Sequence, residues 1–144
     1  MDNFIQKFHS GWAYLALLLL VFAVVNSFIG MSSKKEFTAK DRKIALFALI
    51  GTHLQLLVGL ILYFVSEVGF KQLSGAAMKN SELRLTVLEH PLINIIAIAL
   101  ITIGWIKHKK ATTGEAKFKS IAIFFVLGLV LILIRIPWSL WFQK

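Results

Sequence analysis

Five side chains of this sequence could do chemistry away from water: His9, His53, His90, His108 and Arg135. Each stands in or beside a long apolar run. Neutral imidazoles ligate metals, bridge helices by hydrogen bonds or relay protons, whereas an arginine among apolar residues needs an anion or must snorkel out. The chain has no cysteine, which excludes disulfides, thiolate catalysis, Fe–S clusters and cysteine-ligated zinc or haem within it. It also lacks a Gly-rich phosphate loop, an HExxH and a GxSxG, so P-loop, zincin and serine-hydrolase chemistries have no support.

The elements that must position these residues are long and apolar. Of 144 residues, 58% are hydrophobic and only 16% charged, with mean hydropathy +0.77, which excludes an ordinary soluble enzyme. A bilayer core roughly 30 Å thick needs about 20 helical residues. Four runs approach that size: 11–30, 44–66, 85–106 and 121–142. The third is short if begun at Pro91 and therefore starts near Leu85, which puts His90 inside the membrane edge. The first is too long for a signal-peptide core and lacks a small-x-small cleavage site, so it reads as a span. With no repeat or linker in sight, residues 1–144 form one all-α domain, a four-transmembrane-helix up-down-up-down bundle.

Charge sets the orientation. Loops one and three carry ten of the sixteen Lys and Arg residues: Lys34, Lys35, Lys40, Arg42, Lys43, Lys107, Lys109, Lys110, Lys117 and Lys119. The other side carries five, Lys7, Lys71, Lys79, Arg84 and Lys144, which leaves Arg135 within a span. The positive-inside rule then places both termini outside the cytoplasm, with Trp138, Trp141 and Phe142 as an aromatic belt at the outer interface. The basic loops lack interleaved aromatics and lie against the membrane, so the net charge of +9 points to anionic headgroups of the lipid bilayer and not to nucleic acid. In the outer connection, Asn80 or Ser81 reads as a helix N-cap.

Plotted at about 100° per residue, the polar side chains of each span fall on stripes that should face the bundle interior. Span one gives His9, Ala13, Ala16, Leu20, Ala23 and Ser27. Span two gives Thr52, Gln55, Gly59, Tyr63 and Ser66, with His53 about a quarter-turn away. Span three gives His90, Asn94, Ala97, Ile101, Gly104 and His108, and span four gives Phe124, Gly128, Leu131, Arg135 and Ser139. At about 1.5 Å per residue, His9 lies roughly 16 Å, His90 roughly 9 Å and Arg135 roughly 6 Å outward of their span centres, while His53 lies about 3 Å to the cytoplasmic side. His108 falls in the lysine-rich edge and reads as a surface residue.

Two imidazoles from different helices, facing across an apolar slot at one depth, suit axial ligation of b-type haem. In that reading His9 and His90 ligate the iron, Arg135 pairs with a propionate, the small residues accept the porphyrin and Trp12 packs on its edge. The same residues suit a non-catalytic bundle subunit, in which the histidines hold helices together and Arg135 reaches Glu89, Gln55, Tyr63 or headgroup phosphate.

Several stretches of the chain resemble a family of small four-span bacterial membrane proteins labelled cytochrome-b-like. They are His9-Ser10-Gly11-Trp12, Asp41-Arg42-Lys43, His53-Leu54-Gln55-Leu56-Leu57 with Gly59, Met78-Lys79-Asn80-Ser81, Arg84, Glu89-His90-Pro91, Ile101-Thr102-Ile103-Gly104 and Ile136-Pro137-Trp138. The family's arginine just after the His-Ser-Gly segment is replaced by Ala13. The resemblance implies a four-helix fold in the bacterial inner membrane, haem b as cofactor, and histidines at His9, His53 and His90. It adds His53 to the cofactor-binding candidates His9, His90 and Arg135. The expected activity is electron transfer to or from quinone or a respiratory-chain subunit, with a haem-biosynthesis-type membrane oxidoreductase as a further alternative.

Overall fold

A computed structural model describes residues 2–67 and 69–141. Its long helices are α1 (Asp2–Ser33), α2 (Ala39–Val65), α5 (His90–Lys110) and α6 (Gly114–Ile134). Shorter ones, α3 (Gly75–Met78) and α4 (Ser81–Arg84), lie in the connection after α2, and α7 (Trp138–Trp141) follows α6. A π-helical turn, Leu85–Glu89, joins α4 to α5, so that Ser81–Lys110 forms one continuous apolar helix. Among the described residues, four helices are thus long and apolar enough to cross a membrane. The all-α four-helix bundle expected from the sequence is the observed fold.

The helices form a ring in which α1 packs on α2 and α6, and α5 on α6 and α2, with α5–α6 the closest face and α2–α5 the loosest. Small residues set the close face. A Cβ on Gly104 would stand 2.6 Å from Phe124 Cβ, and one on Gly128 would stand 2.5 Å from Ile101 Cγ1. Each glycine therefore receives a large side chain of the opposite helix, the means by which membrane helices gain dispersion contact without a hydrophobic driving force between them. Leu20, Ile101, Ile121 and Phe125 fill the centre with no exposed surface. Large apolar side chains such as Leu18, Phe22, Ile50, Leu57 and Val130 point outward, as lipid-facing positions do.

The turn between α1 and α2 is pinned by Asp41, whose side chain is only 1% exposed. Its carboxylate accepts from Asn26 Nδ2 at 3.0 Å, Lys35 Nζ at 3.1 Å, Thr38 N at 2.9 Å and Thr38 Oγ1 at 3.0 Å. The helix N-terminus, a cation and two neutral donors thus satisfy one buried charge and hold α1 against α2. Lys34 closes α1 in the left-handed region, φ 56°. In the opposite connection, Asn80 caps α4 by accepting from Glu82 N at 3.0 Å and Leu83 N at 3.1 Å, so the N-cap is Asn80 and not Ser81.

Helix bounds differ from the expected spans mainly at the fourth. That helix starts at Gly114, capped by Thr113 Oγ1, and ends at Ile134, short of the expected 142. Pro137 explains the stop: it disfavours helical backbone at Ile136 and brings no N–H. Arg135 therefore sits at the helix C-cap, not within a span. Phe142, expected in the aromatic belt, and Lys144, counted for orientation, lie outside the described residues.

Candidate functional site

Three of the four polar stripes converge on one cavity of about 500 Å³, at the end of the bundle where α1 and α5 begin and α2 and α6 end. From α1 come Gln6, His9, Ser10, Ala13 and Ala16; from α2, Thr52, Gln55, Gly59, Tyr63 and Ser66; from α5, His90, Pro91 and Asn94. Ile132 and Ile136 close the α6 side. A mostly apolar hollow of this size with a few convergent polar groups is the usual form of a cofactor or ligand site. It is elongated: Gln6 and Ala16 are ten residues apart on one helix, about 15 Å.

The two histidines meet inside it. The rings of His9 and His90 stand edge to face, with centroids 6.4 Å apart and planes at 72°. Their apparent offset in depth is taken up because α1 extends three turns before Gly11, to Asp2, and α5 begins at His90. Gly59 makes room for the His9 ring, since a Cβ there would lie 2.9 Å from His9 Cε1.

The two rings are held differently. His90 Nδ1 donates to the backbone oxygen of Arg135 at 2.9 Å. A carbonyl only accepts, so this bond needs the proton on Nδ1, which Asn94 Nδ2 also approaches at 3.1 Å; in that tautomer Nε2 is the nitrogen left to ligate. His90 is also fixed through its own carbonyl, which accepts from Asn94 Nδ2 at 2.6 Å. On the other side, Gln55 Nε2 donates to the His9 carbonyl at 2.8 Å, fixing the backbone that carries the ring. Gln55 is the polar side chain facing the His9 imidazole, yet neither buried atom, His9 Nδ1 or Gln55 Oε1, has a hydrogen-bond partner. Two orphaned polar atoms in one cavity mark a place where a bound group would make contacts the protein does not.

A proline shapes the α5 wall. Pro91 has no N–H to give the Val87 carbonyl four residues earlier, and Val87 is buried. Tyr63 Oη of α2 donates to that carbonyl at 2.7 Å, closing the loose α2–α5 seam beside the cavity. The adjacent π-turn accommodates the break, as π-bulges near functional sites commonly do. From the sequence, Tyr63 and Gln55 fall on the right stripe but are offered only as partners of Arg135; Pro91 is the signal for the Tyr63 bond, because a mid-helix proline frees one carbonyl.

The other candidates are placed elsewhere. His53 does not line the cavity: it lies exposed on the α2–α5 seam, its Nδ1 donating to Leu49 O at 2.7 Å and its Nε2 3.0 Å from Thr102 Oγ1. Arg135 is also absent from the cavity wall. Its Nε lies 3.4 Å from Glu89 Oε1, while Glu89 Oε2 accepts from Arg84 Nε at 2.8 Å. The α6 stripe drawn through Arg135 shares Gly128 with the buried face and sets Phe124 against Gly104, but it is offset by about one residue from the buried line Ile121, Phe125 and Ile132. A cation at a helix end satisfies itself at the surface, so its stripe does not mark the interior. Trp12 turns its indole to Gly51 O at 2.9 Å and stacks on Phe8, away from the cavity. His108, expected at the surface, is 2% exposed beneath Phe37 and Trp105, its Nδ1 donating to Trp105 O at 2.7 Å.

Compared with family models, with curated proteins and with solved structures, the chain shows no match. The functional reading therefore rests on the cavity itself.

Proposed function

We propose that this multi-pass membrane protein resides in the bacterial inner membrane with both termini periplasmic, binds b-type haem between His9 and His90, and passes electrons to or from quinone or a respiratory-chain subunit. The observation that carries the reading is the meeting of the two rings. Two imidazoles from different helices that meet in one cavity would be the residues to hold a haem iron between them. His9 and His90 meet with ring centroids 6.4 Å apart.

The surrounding residues suit the group. Ala13 adds little bulk to the wall, Gly59 gives the His9 ring its room, and among the described residues the buried His9 Nδ1 makes no hydrogen bond of good geometry. His90 carries the backbone hydrogen bond that fixes a ligand's tautomer and raises its basicity. Arg135 serves the site through that carbonyl. Neutral donors such as Gln6, Ser10 and Thr86 line the cavity where polar edges of a cofactor would rest. Haem supplies one-electron chemistry when bound, while the protein supplies ligation, orientation and exclusion of water.

Haem retention in three alanine variants tests it. His90→Ala should lose the pigment of the purified protein, whereas His53→Ala and His108→Ala should keep it. Loss in His53→Ala with retention in His90→Ala would move the site to the α2–α5 seam and overturn the assignment. A colourless wild type after expression with ample haem would leave the histidines as helix-holding groups.

A further inference from the structure

We infer that the two imidazoles are unequal, with His90 the fixed ligand and His9 the exchangeable one, so that the site accepts a small neutral donor such as carbon monoxide in place of His9. This rests on the haem reading and deepens it by naming a ligand class for the same cavity.

The inequality lies in what holds each ring and each helix segment. His90 is tied at Nδ1 to Arg135 O, and the side chain of Arg135 is tied in turn to Glu89, the residue before His90. Glu89 is bound again by Arg84, whose NH1 donates to Met78 O at 2.8 Å. One arginine thus grips two successive residues of the third span, and a second arginine ties that grip to the preceding connection. Val87, three residues before His90, is 1% exposed, so the backbone entering α5 is packed as well as bonded.

His9 has none of this. Among the described residues its Nδ1 makes no hydrogen bond of good geometry; Gln55 lies against the ring, but the bond that Gln55 Nε2 donates goes to the His9 carbonyl. Ahead of it Phe4 is 70% exposed, Gln6 lines the cavity and Ile5 is half-buried, and among the described residues none of α1 is fully buried before Ala16, two turns beyond. Orienting partners of a ligating histidine typically contribute about 10–100-fold in metal affinity. A ring lacking such a partner, on a sparsely packed helix end, is the one a competing donor displaces. The cavity wall extends past the pair to Ala16 and Thr52.

Spectra of the full-length protein in detergent, reduced and then exposed to carbon monoxide, test the inference. Wild type should change spectrum on exposure and converge with carbon monoxide-treated His9→Ala, which retains haem. Retention in His90→Ala should fall at least about tenfold below that in His9→Ala. A pigmented wild type indifferent to carbon monoxide overturns the exchangeable ligand and leaves the haem reading standing; a colourless wild type overturns both. Loss of pigment in His9→Ala with retention in His90→Ala reverses the assignment and refutes it. Because misfolding of either variant would also remove pigment, imidazole ¹⁵N spectra of haem-free wild type give a second readout. His90 should show a single Nδ1–H tautomer and His9 an exchanging one, and a His9 ring as firmly locked as His90 refutes the inference.

Discussion

Replacing Tyr63 by Phe isolates the hydrogen bond that closes the α2–α5 seam. The ring contacts with Phe64 and Phe70 persist in Phe, so only the donor to the Val87 carbonyl is lost. A buried carbonyl stripped of its donor costs about 1–3 kcal/mol in soluble proteins. Interhelical bonds in membrane bundles average about 0.6 kcal/mol and reach about 1.7. Val87 is 1% exposed, and Pro91 leaves its carbonyl no helical donor four residues on, so the cost should fall near the upper membrane value, about 1–1.5 kcal/mol. The reasoning makes a sharper claim about Pro91. Pro91→Ala returns an N–H to that carbonyl, so Tyr63→Phe should cost little in the Pro91→Ala background. Reversible unfolding in mixed detergent and dodecyl sulfate micelles, followed by circular dichroism across the four-member cycle, measures this coupling at about 1 kcal/mol. Costs equal within about 0.3–0.5 kcal/mol in the two backgrounds would show that Pro91 is not why Tyr63 is needed.

Gly128→Ala puts a Cβ 2.5 Å from Ile101 Cγ1 and 3.0 Å from Ala97 O; overpacking of about 1–3 kcal/mol should outweigh the helix-propensity gain of up to about 1, and the melting temperature should fall. Gly11→Ala, which meets nothing within 4 Å, should instead raise the melting temperature. Asp41→Ala strands Asn26 Nδ2 and Thr38 N at the first turn and should cost about 2 kcal/mol in the same unfolding assay, whereas Asp41→Asn, which keeps an acceptor, should cost less. A periplasm-active reporter fused to the C-terminus should give signal in a bacterial host, and signal only from a cytoplasm-active reporter would reverse the orientation.

Periodicity made much of this architecture legible. Small and polar residues recurring every three or four positions on α1, α2 and α5 face inward in the structure, because a lipid-facing surface has no use for them. The same logic failed on α6, where a charge was taken to mark the interior and in fact marks a helix end. Pro137 was visible as the stop but was read as part of a span, since the apolar run continues through it. His108 was misplaced because the lysines around it suggested solvent. Their long side chains reach water while Phe37 and Trp105 cover the imidazole. The pairing of His9 with His90 could be guessed from depth. The unequal hold on the two rings could not, since it depends on a backbone carbonyl 45 residues from His90.

The absorption spectrum of the purified full-length protein, oxidised and then reduced with dithionite, tests the central claim most directly. Expressed with ample haem, the wild type should show b-type bands that sharpen on reduction, with haem bound stoichiometrically, and the double variant His9→Ala/His90→Ala should be colourless while remaining folded. A colourless wild type, or equal pigment in the wild type and the double variant, would contradict the assignment of this cavity as a haem site.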